Sequence, residues 1–212
     1  MARIPDTRGL APDSLEGWLL PCRAGLLPGQ ASAGAQGGRA RRRLAAGLAV
    51  ALAAAALSAW ALCWAGVGPR ALLPLYLAGV SLPLCAWDLA HRRLPNALVL
   101  PGYAVAAVGI LGLRLAGEPA APALAAGAGT FGFFLLLALA GGMGMGDVKL
   151  AGLIGLASGA LAPGAALLAV VIAFLTGGVA GIAAWLVPEL RTRGIPFGPY
   201  LLLGLWAAPA FA

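Results

Sequence analysis

The chain has 212 residues, of which 61% are hydrophobic and 10% are charged, and its formal net charge is +7. Because soluble globular domains carry about 25% charged residues, this composition excludes a soluble globular protein. Long apolar runs with few charges are typical of membrane-spanning helices, and the regular alternation of an outer-membrane barrel is absent. The sequence therefore predicts an all-α, polytopic integral membrane bundle of about six to seven transmembrane helices.

The positive charge does not indicate a nucleic-acid partner. The arginine clusters lie beside apolar segments, where they set the orientation of a membrane protein, and no basic stripe with interleaved aromatic residues is present. We therefore expect the lipid bilayer as a partner and no nucleic acid. The cysteines, Cys22, Cys63 and Cys85, form no C-x-x-C pair, so the sequence predicts no metal site and no cofactor.

Residues 1–43 differ in composition from the rest of the chain. They contain Pro, Gly, Ser and several arginines and end in "RARRR", which is typical of a disordered, basic cytoplasmic tail. A basic region before an apolar one also resembles a signal peptide. The basic cluster lies far from the start, however, and the apolar run of about 20 residues is long for a signal peptide, so an uncleaved first helix is favoured. Residues 44–212 then form the membrane-embedded domain.

Seven apolar segments follow the tail, separated mostly by Pro and Gly. They predict spans at 44–67, 70–87, 97–115, 121–140, 148–161, 164–187 and 197–211. The "RARRR" cluster places the start of the first span inside, and counting crossings places "HRR" (91–93), Lys149 and "RTR" (191–193) inside as well. The abundance of Ala, Gly and Arg is typical of a bacterial protein. We expect the bacterial cytoplasmic (inner) membrane, with the N-terminus facing the cytoplasm.

Acidic residues are scarce, since the chain has seven and only four follow residue 43: Asp88, Glu118, Asp147 and Glu189. The two glutamates lie in predicted loops, where we expect water to solvate them. Asp88 ends the second span and Asp147 opens the fifth, both at the predicted cytoplasmic interface. An even number of crossings separates them, so the fold can bring them together. Ionisable groups at membrane depth are expensive and usually functional.

Two carboxylates at one depth suggest the chemistry of an aspartic protease. One carboxyl holds a proton and polarises a carbonyl while the other takes a proton from water. Asp147 would lie at a helix N-terminus, which should lower its pKa, so we expect Asp147 to be the base and Asp88 the acid. The glycines beside Asp147, Gly142, Gly144 and Gly146, would allow close backbone approach.

The residues alone leave a second interpretation open for each aspartate. Asp147 is also suited to cap the fifth span and pair with Lys149. Asp88 is also suited to pair with Arg92 four residues later on the same helix.

Three stretches of the sequence resemble one known family. "GMGMGDVKL" (142–150), "DLAHRRLPN" (88–96) and "IPFGPYLLLG" (195–204) occur in the order and spacing found in the prepilin peptidases, which are membrane aspartic peptidases with a G-x-G-D motif. The resemblance covers roughly residues 70–210. The larger members also carry paired C-x-x-C motifs and methylate their product. This chain lacks those pairs and resembles the compact, peptidase-only form, so methyltransferase activity is not expected.

The resemblance implies a function and a set of site residues. Members of this family remove the short basic leader from prepilins and pseudopilins of type IV pilus and secretion systems, at the cytoplasmic face of the membrane. By resemblance, residues 44–212 form an aspartic peptidase domain with Asp88 and Asp147 as the catalytic pair. Five further residues are expected to bind substrate or shape the site: Gly144, Gly146, Lys149, Pro95 and Asn96.

Two other functions fit a membrane protein with a pair of buried carboxylates. A proton-coupled transporter uses such groups as a relay, but internal repeats, which would favour it, are not visible. A non-enzymatic assembly protein of a pilus or secretion system would be favoured by loss of either aspartate, and both are present.

Overall fold

Seven α-helices make up most of the part of the chain that the computed structural model describes, which is residues 28–162, 164–186 and 196–211, with side chains from residue 44. The helices are α1 (Pro28–Ala65), α2 (Leu72–His91), α3 (Asn96–Leu115), α4 (Ala121–Leu139), α5 (Met145–Leu161), α6 (Ala165–Leu186) and α7 (Gly198–Ala207). Short 3-10 turns precede α2 (Pro69–Ala71) and follow α7 (Ala208–Phe211). These ranges contain no strand, and the predicted all-α fold is confirmed.

Five segments are long and apolar enough to cross a membrane: Leu44–Ala65, Pro69–His91, Asn96–Leu115, Ala121–Leu139 and Ala165–Leu186. The predicted fifth and seventh spans correspond to shorter helices, α5 with 17 residues and the segment Gly198–Phe211. In α5, ten of the 17 residues are buried, whereas the apolar windows of the five long helices are at most 39% buried. The long helices therefore present apolar surface suited to lipid, and the predicted multi-pass membrane bundle is confirmed.

The predicted tail at 1–43 falls mostly on residues 1–27, which lie outside the described residues. Helix α1 begins at Pro28, earlier than the predicted first span at 44. Residues 28–43 contain four Ala and four Arg, which favour helix, and four Gly, which disfavour it. Contacts divide the chain into two units, residues 1–47 and 48–212. The described part of the first unit is helical, and the second contains the rest of the bundle. The predicted boundary at residue 44 stays a prediction.

Small residues set the closest approach in the bundle, between α4 and α5. A Cβ atom added at Gly155 would lie 2.6 Å from the carbonyl oxygen of Ala126 and 2.9 Å from the Cα of Gly127. Only glycine fits such a distance, as at many helix interfaces within membranes. Helix α5 also contacts α2, α3, α6 and α7. It therefore lies among five other helices and carries Asp147 into the bundle at its first turn.

Hydrogen bonds hold α7 against its neighbours. The indole Nε1 of Trp206 donates to the hydroxyl of Ser81 on α2 at 3.1 Å, and the indole of Trp60 on α1 donates to the carbonyl of Trp206 at 3.0 Å. These contacts fix the position of the helix that Gly198 begins.

The two ends of the α2–α3 pair carry different polar groups. Arg70, before α2, pairs with Glu118, after α3, at one end, and Asp88 and Asn96 lie at the other. The 20 residues of α2 make it about 30 Å long. Glu118, which was expected to be solvated in a loop, has a 36% exposed side chain and pairs with Arg70.

Candidate active site

Asp88 lies in the last turn of α2 and is only 3% exposed. A buried carboxylate is costly unless hydrogen bonds compensate for the lost water. The backbone N–H of Gly198 supplies one such bond, donating to Oδ2 of Asp88 at 3.0 Å. The contact joins residues 110 positions apart in the chain and connects the start of α7 to the end of α2.

Gly198 contacts Asp88 directly, and the sequence analysis did not assign it to the site. A Cβ atom at this position would lie 2.7 Å from Oδ2 and 3.3 Å from Cγ of Asp88, so any side chain would collide with the carboxylate. The signal in the sequence was the "FGP" within the third shared stretch, since Gly followed by Pro opens a short helix here. That stretch was noted for its resemblance, but none of its residues was assigned to the site.

Asp147 lies in the first turn of α5 and is partly buried. The N-cap of the helix is Gly144, whose carbonyl accepts a hydrogen bond from the backbone N–H of Asp147 at 3.1 Å. Asp147 is therefore inside the first turn and is not the N-cap residue itself, but its carboxyl accepts a backbone hydrogen bond from the N-cap residue Gly144.

The two aspartates line one cavity of about 420 Å³ between the end of α2 and the starts of α3 and α5. The other lining residues are Arg92, Arg93, Leu94, Asn96, Gly144, Met145, Gly146 and Lys149. The structure thus brings together all of the predicted site residues except Pro95, which is the N-cap of α3. Within the described ranges, no group of three or more His, Cys, Asp and Glu residues is arranged to hold a metal ion.

Burial, followed by the nearby charge of Asp88, raises the pKa of Asp147 to about 6. A backbone hydrogen bond from Gly144 acts in the opposite direction. The prediction of a lowered pKa for Asp147 is therefore wrong, because burial and the second carboxylate outweigh the favourable end of the helix. The interaction also shows that the two carboxyl groups are close enough to influence each other's ionisation.

Neither aspartate forms an ion pair with any residue in 44–162, 164–186 or 196–211. The alternatives in which Asp88 pairs with Arg92 and Asp147 with Lys149 are thus not observed in these ranges. Arg92 caps α2 in the left-handed conformation, with φ of 52°, and its backbone N–H donates to the carbonyl of Asp88 at 2.7 Å. Its side chain and that of Arg93 are exposed.

Lys149 binds Asn96 rather than Asp147. Its Nζ donates to Oδ1 of Asn96 at 3.1 Å, and the hydroxyl of Tyr103 donates to its carbonyl oxygen at 2.8 Å. Both contacts connect α5 to α3. Pro95 contributes next to Asn96 through its carbonyl, which accepts the backbone N–H of Leu98 at 3.0 Å, so Pro95 shapes the start of α3 without lining the cavity.

Leu94 lies in one of the three stretches that carry the resemblance and packs against a glycine of each of the other two. A Cβ atom at Gly146 would lie 3.0 Å from the Cβ of Leu94, and one at Gly198 would lie 3.4 Å from its Cδ2. At Gly144 the nearest atom would be Oδ2 of Asp147 at 3.5 Å, an ordinary van der Waals contact. The structure therefore requires glycine more strictly at positions 146 and 198 than at 144.

His91 lies outside the cavity. Its ring stacks on Trp87 with centroids 4.4 Å apart, and both side chains are exposed. The structure therefore gives this histidine no contact with the aspartates.

The comparisons with known proteins agree with this geometry. The family model described as the type IV leader peptidase family matches residues 75–182, about half of the chain, and the match includes both aspartates. No curated protein and no solved structure matches the chain. The matched range contains the end of α2 and the start of α5, and both line the cavity. The chain therefore belongs to the type IV leader peptidase family.

Proposed function

We propose that this protein is a membrane aspartic endopeptidase that removes the basic leader from prepilin or pseudopilin precursors at the cytoplasmic face of the bacterial inner membrane. Membership of a leader peptidase family supports a protease. The observation that carries the proposal is the shared cavity, which carboxyl groups from α2 and α5 both line and in which no cation from the described residues pairs with either.

The chemistry follows from two carboxyl groups that cannot both ionise readily. One is ionised and takes a proton from water, whose oxygen then attacks the carbonyl carbon of the peptide bond. The other donates its proton to the carbonyl oxygen. A proton then passes to the leaving nitrogen, the C–N bond breaks, and the pair returns to its starting state with one proton. This sequence uses Asp88, Asp147 and one water molecule.

The position of the cavity suits a substrate with one apolar helix. The cavity lies at one end of α2, α3 and α5, where the arginine pattern predicts the cytoplasmic interface. An apolar substrate helix can lie in the bilayer beside α3 or α4 while its N-terminal segment extends into the cavity. The extended segment would meet hydrogen-bonding groups from Asn96 and Lys149.

The charge of the cavity limits where the leader can lie. Arg92, Arg93 and Lys149 contribute three cations, which repel the basic side chains of a leader. We expect the cavity to hold the peptide bond to be cut and its neutral neighbours. The basic residues of the leader would then lie outside it, toward the cytoplasm and the anionic headgroups of the inner leaflet.

Co-expression with a precursor tests the proposal. The precursor carries a basic leader followed by a single apolar helix, and its mass and N-terminus are determined after extraction from membranes. We expect one shorter product that begins just before the apolar helix. A matched precursor with the helix deleted should stay uncut, because the substrate would not be held at the membrane. An intact helix-bearing precursor in the presence of the folded protein would contradict the proposal.

A further inference from the structure

The geometry points to a positioning role for the backbone N–H of Gly198: it holds Asp88 and keeps it ionised, so that Asp88 takes the proton from water and Asp147 supplies the proton to the carbonyl. The inference rests on the proposed function and assigns a different role to each member of the pair. It reverses the order expected from the helix ends alone.

The first argument is the direction of the hydrogen bond. A backbone N–H can only donate, so Oδ2 of Asp88 must act as an acceptor. A proton on Oδ2 would weaken the 3.0 Å contact, so a proton on Asp88 would have to lie on Oδ1, with Oδ2 accepting the N–H as a carbonyl oxygen. Hydrogen bonds from N–H groups to the ionised form stabilise that form, and those to a charged acceptor are about twice as strong as neutral ones.

The second argument is the fixed position of the donor. Gly198 begins α7, which Trp206 ties to Ser81 on α2 at 3.1 Å. The donor and Asp88 are therefore held by the same pair of helices. The amide at position 198 is also within the first turn of α7, where N–H groups have no partner in their own helix. Asp88 accepts from this N–H, for which the described part of the chain shows no other acceptor.

The third argument concerns the opposing influence of the helix ends. The C-terminal end of α2 disfavours a negative charge at Asp88. The carbonyl of Asp88 itself, however, accepts the backbone N–H of Arg92 at 2.7 Å, which offsets part of that effect. Burial opposes the ionisation of both carboxyls, since Asp88 is only 3% exposed. At Asp147, burial together with the charge of Asp88 raises the pKa to about 6 despite the favourable end of α5. When the pair holds one proton, we therefore expect that proton on Asp147.

The assigned roles give a balanced reaction. Asp88 takes a proton from water as the water oxygen bonds to the carbonyl carbon, and Asp147 gives its proton to the carbonyl oxygen. In the second half, Asp88 gives its proton to the leaving nitrogen as the C–N bond breaks. Asp147 takes a proton from one hydroxyl as the new carboxyl forms. Asp88 ends ionised and Asp147 protonated, as at the start.

Other charged and titratable side chains also lie near the pair. Arg92, Arg93 and Lys149 line the same cavity as both aspartates. Cys85 lies one turn before Asp88 on α2 and is partly buried. In the described ranges, the N–H of Gly198 on α7 donates to Asp88 at 3.0 Å, whereas the backbone hydrogen bond to Asp147 comes from Gly144, the N-cap of its own helix.

Carboxyl NMR tests the assignment directly, because the chain has four aspartates, Asp6, Asp13, Asp88 and Asp147. The protein is labelled with ¹³C at the aspartate side-chain carboxyls, and the signals are assigned with single Asp→Asn variants. At the pH where the pair holds one proton, we expect the shift of an ionised carboxyl for Asp88 and of a protonated one for Asp147. The opposite order would overturn the inference, whether or not the protein cleaves a precursor.

Two changes at position 198 test whether the N–H of Gly198 is what keeps Asp88 ionised. Gly198→Ala places a Cβ against the carboxylate, and an ester in place of the Gly198 amide removes the N–H without adding an atom there. Both should reduce kcat by at least about tenfold and move the titration of Asp88 to higher pH. Gly178→Ala is the matched control, because a Cβ there meets nothing within 4 Å, and it should change neither.

The outcomes separate this inference from the proposed function. An unchanged Asp88 titration in the ester variant would overturn the inference even if cleavage fell. A wild-type protein that cuts no precursor, but shows the expected carboxyl signals, would refute the proposed function and leave the hydrogen-bond assignment in place.

Discussion

Lys149 donates a hydrogen bond from Nζ to Oδ1 of Asn96 and thereby joins the start of α5 to the start of α3 beside the two aspartates. Both residues line the cavity. This contact gives Lys149 a partner that its sequence neighbours did not suggest, since Asp147 is two residues away on the same helix and does not pair with it in the described ranges.

A double-mutant cycle tests whether the contact positions α5 against α3. Lys149→Met and Asn96→Ala should each lower the cleavage rate by about two- to tenfold, the range expected for one hydrogen bond to a charged group. The double variant should lose little more than either single variant, because both remove the same contact. Initial rates of precursor cleavage in detergent provide the measurement. Fully multiplicative losses would show that the two side chains act separately.

The glycines of the G-x-G-D stretch should differ in their tolerance of alanine. A Cβ at Gly146 would lie 3.0 Å from Leu94, whereas one at Gly144 makes an ordinary contact at 3.5 Å. Gly146→Ala should therefore reduce cleavage several-fold more than Gly144→Ala. Gly129→Ala, where a Cβ meets nothing within 4 Å, serves as the control. Equal effects at positions 144 and 146 would argue against the packing of Leu94 as the cause.

The pH dependence of cleavage should follow the single proton of the pair. Asp147 has a pKa of about 6, so it holds its proton below that pH and loses it above. Because the reaction needs one protonated and one ionised carboxyl, the rate should fall about tenfold per pH unit on the alkaline side. The rate should also fall in acid, where Asp88 is protonated and the pair holds two protons. A rate that keeps rising with pH well past neutrality would contradict this account.

Cysteine labelling tests the predicted orientation. Arg93 lies at the same end of the bundle as the aspartates, and Arg114 lies near the other end, beside the Arg70–Glu118 pair. In a variant without the native cysteines, an impermeant maleimide added to intact cells should label Arg114→Cys and not Arg93→Cys. Disruption of the cells should expose both. Labelling of Arg93→Cys in intact cells would place the cavity outside the cytoplasm.

Much of the fold was predictable because a membrane helix is determined by the composition and length of its own segment. Long apolar runs dictate helices in a membrane, and helices form at all seven predicted spans. The two aspartates were found because acids are so few after residue 43 that each had to be explained. The shared cavity between them agrees with their predicted common depth.

The parts that sequence reasoning did not predict depend on contacts between distant segments. Gly198 acts through its backbone on a residue 110 positions away, and a backbone donor leaves no chemical signature in a side-chain pattern. The pKa of Asp147 was misjudged because the helix end is a local property, whereas burial and the charge of Asp88 arise only in the folded protein. The partner of Lys149 was missed for the same reason.

The cleavage rate of single asparagine variants tests the central claim most directly. Purified Asp88→Asn and Asp147→Asn are compared with wild type on the same precursor in lipid vesicles. Glu118→Gln, which changes a carboxylate at the opposite end of the bundle, serves as the control. We expect both asparagine variants to fold, bind the precursor and leave it uncut, while Glu118→Gln cleaves within about twofold of wild type. Cleavage by either asparagine variant at a rate near wild type would contradict the claim that the two aspartates form the catalytic pair.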